Sequence, residues 1–110
     1  MAKRFQITLA QLNPTVGDLE GNYKAALGAW QQAKKIGSDL IAFTELFITG
    51  YNTQDLIKKP SFCKAAQDEI SKLAQTCAEG PAIAIGGPAC IEEKLFNAYY
   101  ILADGKITNV

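Results

Sequence analysis

Glu45 follows the apolar run Leu40-Ile41-Ala42-Phe43 by two positions, with only Thr44 between. That places a carboxylate where a buried strand would end, and in open α/β sheets ligands bind at the carboxyl ends of strands. A glutamate hemmed in by Phe43, Leu46, Phe47 and Ile48 would, if buried, have its charged form destabilised by desolvation and become a better proton acceptor. A surface glutamate at a strand–loop junction, or one neutralised by a structural lysine, would produce the same sequence. Gly50 permits a sharp loop after the glutamate. Tyr51 either caps the core or walls a pocket, and packing into the core is the expectation for a lone tyrosine there.

The chain contains no histidine. Ser-His-Asp and Cys-His catalysis and any imidazole metal site are therefore excluded for these residues alone, leaving carboxylate, lysine, thiol and backbone groups to do chemistry. Cys63, Cys77 and Cys90 are odd in number, and their spacing fits neither a close-paired zinc pattern nor a disulfide framework, so reduced thiols are expected. Cys63 and Cys77 fall on a helical segment, Cys77 within its apolar stripe, and read as small buried hydrophobes. Cys90, after Gly86-Gly87-Pro88, is ambiguous between structure and chemistry. Lys94 and Lys106 read as solvated turn and strand residues. The stretch GPAIAIGGP has neither the G-x-G-x-x-G spacing nor a P-loop lysine, so it supports no nucleotide site.

The elements that must position these groups follow from periodicity. Phe5-Gln6-Ile7-Thr8-Leu9 alternates and continues through Leu12, as a strand with one buried face does. Asp18 can cap a helix whose apolar positions are Leu19, Tyr23, Ala26, Leu27, Trp30 and Ala33. Lys34 and Lys35 suit the negative helix end and Gly37 can close it. Leu40 to Phe43 reads as a central strand covered on both faces. After a loop through about Pro60, the stripe Phe62, Ala66, Ile70, Leu73, Cys77 marks a second helix, stopped by Gly80-Pro81. Ala82 to Ile85 reads as a buried strand, with Gly86-Gly87-Pro88 either turning the chain or letting something approach closely. Leu95 to Ala103 is a longer strand, Asp104-Gly105 a hairpin turn, and Lys106 to Val110 the start of a returning strand. The order is β-α-β-α-β-β-β, with a strand still running at Val110 and an open edge expected beside it.

At 110 residues, 48% hydrophobic and 20% charged, the chain has the composition of one soluble globular domain able to bury a core. Eleven basic residues balance eleven acidic ones with no basic stripe, which excludes the electrostatic footprint of a nucleic-acid or anionic-lipid partner. Gln6, Thr8 and Gln11 interrupt any signal-peptide core, and no run approaches the ~18 apolar residues of a membrane span, so a cytoplasmic protein is expected, with a small neutral or zwitterionic substrate left open by the charge balance.

The segment LIAFTELFITGYNTQDL, residues 40–56, resembles the first catalytic motif of the nitrilase, or carbon–nitrogen hydrolase, superfamily. The opening FQITLAQLNPTVGDLEGNYKAA and the stretch GGPACIEEKLFNAYYILADGKI are similar to that family's first strand and helix and to its next strands and hairpin. Within the superfamily, GYNTQDLIKKPSF is most similar to the glutaminase domains of bacterial glutamine-dependent NAD+ synthetases. The resemblance covers essentially the whole chain and implies the N-terminal part of a nitrilase-like α-β-β-α sandwich, residues 1–110 being a partial glutaminase domain. It implies a Glu-Lys-Cys set in which Glu45 is the proton acceptor, while the catalytic lysine and nucleophilic cysteine lie beyond Val110; none of the cysteines or lysines present matches those motifs. It implies glutamine as substrate and no cofactor in this chain, with ATP, Mg2+ and deamido-NAD bound by a synthetase domain absent from these residues, and a homo-oligomeric parent. Thr44 in place of the usual proline, and Asn52-Thr53 in place of prolines, depart from the pattern and affect loop stiffness more than chemistry. The isolated chain is expected to be inactive. Another nitrilase-superfamily amidase, or a non-catalytic truncated or interaction module, are the alternatives.

Overall fold

The computed structural model describes residues 4–53 and 58–110, so part of the loop expected before Pro60, residues 54–57, lies outside the described residues. The elements are β1 (Ile7–Leu9), α1 (Leu19–Lys35), β2 (Leu40–Ala42), α2 (Pro60–Thr76), β3 (Ala82–Ile91), β4 (Lys94–Ala103) and β5 (Lys106–Asn109), the order expected from periodicity. They form a five-stranded sheet in the order β1-β2-β3-β4-β5, parallel from β1 to β3 and antiparallel from there. No helix among the described residues is long and apolar enough to cross a membrane.

Local chemistry accounts for the element ends. The Asp18 carboxylate accepts from the Gly21 N–H at 2.9 Å, satisfying one of the free donors of the first turn of α1. Gly37, at φ 83°, carries the chain out of the helix, and the Ser38 N–H reaches back to the Ala33 carbonyl at 3.0 Å. Pro60 begins α2, where its missing N–H costs nothing. Asp104 (φ 54°) and Gly105 (φ 82°) make the expected hairpin turn with both central residues left-handed.

Right-handed crossovers between parallel neighbours laid down in one direction place α1 and α2 on the same face of the sheet. There Tyr23, Ala26 and Trp30 of α1 and Ile70 and Leu73 of α2 pack with Ile41, Ile83, Ile85 and Leu102 in one cluster. The Trp30 indole N–H donates to the Pro81 carbonyl at 2.9 Å, tying α1 to the start of β3. Ile7 and Leu9 register with Leu40 and Ala42, opposite in parity to Ile41, and so point away from the helices. Phe5, Ile7 and Leu9 are 69, 50 and 78% exposed. The alternation of β1 is therefore real, but the face expected to be buried is open, and β2 is covered on one face instead of two.

The strand expected over Ala82 to Ile85 is longer, Ala82–Ile91. Gly86-Gly87-Pro88 does not turn the chain; it lies buried inside β3, paired with Tyr99, Ala98 and Asn97 of β4. Pro88 is tolerated because β2 ends at Ala42, level with Ala84, so this stretch of β3 has a strand partner on one side only. The actual turn is at Glu92 (φ 50°) and Glu93 (φ 65°). Sequence reasoning passed it over because glutamate is not a residue that left-handed turns select.

Candidate active site

β2 ends at Ala42, and the chain then folds into the turn that carries Glu45. The Phe43 N–H still donates to the Ala84 carbonyl of β3 at 2.7 Å, and the Ile48 N–H donates to the Gly86 carbonyl at 3.2 Å, so the turn continues the sheet where β2 leaves off. Gly86 makes this approach feasible. A Cβ on it would lie 2.3 Å from the Leu46 nitrogen and 2.6 Å from the Thr44 carbonyl oxygen. The close approach offered by the Gly-Gly pair is thus realised, and what approaches is the backbone of Glu45 and its neighbours.

The turn is fastened from two other directions. Tyr99, the cross-strand partner of Gly86, donates its hydroxyl to the Phe43 carbonyl at 2.7 Å, and partial burial raises that phenol from the ordinary tyrosine value. Asn22, buried on α1, donates through Nδ2 to the carbonyls of Ile48 (3.0 Å) and Thr15 (2.8 Å) and accepts from the Thr15 N–H (2.9 Å). The Gly17 N–H adds a bond to the Thr49 carbonyl at 2.9 Å. Gly50, at φ 78°, packs so closely on Val16 that a Cβ would sit 2.6 Å from the Val16 Cα. The loop between β1 and α1 and the turn after β2 are therefore one assembly. Leu46, immediately after Glu45, is held at φ 51°, a left-handed conformation costing an L-residue about 1–2 kcal/mol. Strain of this kind persists where surrounding contacts over-determine the backbone.

Phe43, Leu46, Phe47, Ile48 and Thr49 are buried, yet Glu45 is exposed. The turn directs its apolar residues down into the helix-covered core and the carboxylate up, so the desolvation expected from its sequence neighbours does not occur. Glu45 instead stands between two open clefts. One, of about 370 Å³, is lined by Leu12, Asn13, Pro14, Thr44, Glu45 and Tyr51; the other, of about 420 Å³, by Phe43, Glu45, Asn97, Ala98 and Tyr99. Tyr51 is 65% exposed and walls the first cleft, against the expectation of core packing.

The other candidate groups lie elsewhere. Cys63 and Cys77 are buried at α2 as expected, with burial pushing the Cys77 thiol up to about 11, and Cys90 is exposed near the end of β3. None lines either cleft beside Glu45. Asn22 was missed, although a signal existed: it sits on the same helical face as Leu19 and Ala26, a polar residue inside an apolar stripe. Tyr99 gave no signal, since its partner is a backbone carbonyl 56 residues away.

Residues 6–109 match the carbon-nitrogen hydrolase family. The chain is 49% identical over 107 residues to a glutamine-dependent NAD(+) synthetase of Rhodobacter capsulatus, covering 97% of this chain and 19% of that protein. It is 41% identical over 108 residues to the enzyme of the same name from Thermotoga maritima, covering 98% and 19%. It therefore spans about a fifth of the length of these curated relatives. Among solved structures, a glutamine-dependent NAD(+) synthetase from Cytophaga hutchinsonii superposes with a TM-score of 0.88 at 27% identity, over 94% of this chain and 18% of that one. An amidase from Nesterenkonia sp. superposes at 0.79 with 18% identity, over 96% and 41%, a likeness of fold.

Proposed function

The chain belongs to the carbon–nitrogen hydrolase family, and from that premise we propose that it is the part of a glutaminase that supplies the general base, Glu45. In this reading Glu45 takes the proton of a catalytic thiol contributed by residues outside these 110. The thiolate attacks the side-chain amide carbon of glutamine, ammonia leaves, and water releases glutamate from the thioester. A lysine, also from outside, stabilises the negative charge of the tetrahedral intermediate. The larger cytoplasmic protein would pass the ammonia to an ATP-dependent amidation of deamido-NAD.

The observation that carries this reading is the Glu45 turn itself, a carboxylate presented to open clefts on backbone that β3, β4 and α1 all hold. A base must be held in one geometry if it is to be within reach of a proton. The uncovered apolar face at Phe5, Ile7 and Leu9 supports the sandwich, because adjoining exposed apolar side chains mark a face that a second layer would cover. Among the described residues no group of three or more His, Cys, Asp or Glu is placed to hold a metal ion, and the glycines at 86 and 87 are buried in a strand instead of opening a phosphate loop. The curated relatives that the chain matches are NAD(+) synthetases, so in this reading ATP, Mg2+ and deamido-NAD would be bound by a synthetase domain outside these residues, and no step here runs through them.

Glutamate release from glutamine, measured on the polypeptide made from the native locus, tests the role of Glu45. With lysine and cysteine motifs present, Glu45→Gln is expected to lower kcat by about 10²–10⁴-fold; undiminished turnover would remove Glu45 from the reaction. The 110-residue chain by itself is expected to release no glutamate, and turnover abolished by Glu45→Gln in that chain would overturn its catalytic incompleteness.

A further inference from the structure

Two thiols with no part in the proposed reaction meet near the far end of β3. Cys63 lies in α2 at 1% exposure, and Cys90 is the penultimate residue of β3 and exposed. Because α2 packs along β3, the two converge on one small cleft of about 160 Å³, together with Lys58, Pro60, Glu93 and Leu95. None of these residues lines the clefts at Glu45. The Cys63 thiol donates to Gln67 Oε1 at 3.8 Å. Burial raises the Cys63 thiol from its ordinary value, and the neighbouring Cys90 raises it further. Cys77 stands apart at the other end of α2, where burial also raises its thiol and Lys34 opposes the shift.

We propose that Cys63 and Cys90 form a dithiol modification site whose co-reactant is a small disulfide of the glutathione type. The exposed Cys90, as thiolate, attacks one sulfur of the small disulfide and expels the other half as a thiolate, leaving a mixed disulfide on Cys90. The Cys63 thiolate then attacks the Cys90 sulfur, forming the Cys63–Cys90 bond and expelling the second half. Two cysteine thiols are oxidised, one small disulfide is reduced to two thiols, and the two protons pass to the released thiolates. The product anchors the start of α2 to the end of β3. Ring closure needs the Cys63 thiolate, which burial disfavours, so closure quickens as pH rises.

The test treats the purified chain with glutathione disulfide and follows intact mass and non-reduced peptides between pH 7 and 9. The expected course is a transient glutathione adduct on Cys90, then a species lighter than the starting chain by two hydrogens whose cross-linked peptide joins Cys63 to Cys90, with Cys77 still free. Cys63→Ser should stop at the adduct and Cys90→Ser should not react. A wild-type chain that keeps the adduct without closing, or that closes through Cys77, would overturn the proposal, and because this readout is on the unmutated chain it stands even if a variant fails to fold.

Discussion

Glu45 and the pair Glu92, Glu93 are all exposed glutamates at turns that use left-handed backbone, at Leu46 (φ 51°) in the first and at both glutamates (φ 50° and 65°) in the second. The first turn is bonded to β3, β4 and α1; among the described residues the second has hydrogen bonds only from the strands it joins. One turn has its backbone located by three elements distant in sequence, whereas the other is bonded through its own hairpin. The same residue type in a similar conformation thus has its geometry determined tertiarily in one place and locally in the other, and only the first is suited to hold a reacting group still.

This contrast can be broken most severely at Gly86. Gly86→Ala drives a Cβ into the Leu46 nitrogen and Thr44 carbonyl, both backbone atoms that cannot rotate away. A loss on the order of 3 kcal/mol is expected in denaturant unfolding, at the upper end of overpacking costs. A nearly neutral result would show that the Glu45 turn can shift freely off β3. Asn22→Ala should cost about 2 kcal/mol, because it strips buried bonds to Thr15 and Ile48 and the better helix propensity of alanine recovers only part. Amide hydrogen exchange at Gly17 and Ile48 would report whether the loop before α1 and the Glu45 turn then come apart together. The smallest effect lies in the other turn and has the opposite sign: Glu93→Gly removes a side chain from φ 65° and is expected to stabilise the chain by about 0.5–1 kcal/mol in thermal melts. A loss there would mean that the Glu93 side chain has contacts that matter more than its backbone.

Legibility in the sequence follows the range of the forces involved. The Asp18 cap, the Gly37 exit and the Asp104-Gly105 turn are settled by residues within a few positions of one another, and all were readable. The carboxylate at the end of β2 was readable as a position, but its exposure was not, since the side chains around it in sequence point into the core while it points out. Phe5, Ile7 and Leu9 show the limit most plainly: alternation establishes that a strand has an apolar face and does not say which layer covers it.

By itself, then, the amino-acid order determined the succession of the two helices and five strands among the described residues, the caps of the first helix, and a candidate base at a strand end, because hydrogen bonding within helices and tight turns is local and periodicity records which face is apolar. Tertiary structure alone decided that Gly86 seats the Glu45 backbone, that Asn22 and Tyr99 hold it from α1 and β4, and that Cys63 and Cys90 share one cleft. Each of those juxtapositions joins segments far apart along the chain, and it exists only once the strands have paired and the helices have packed on the sheet.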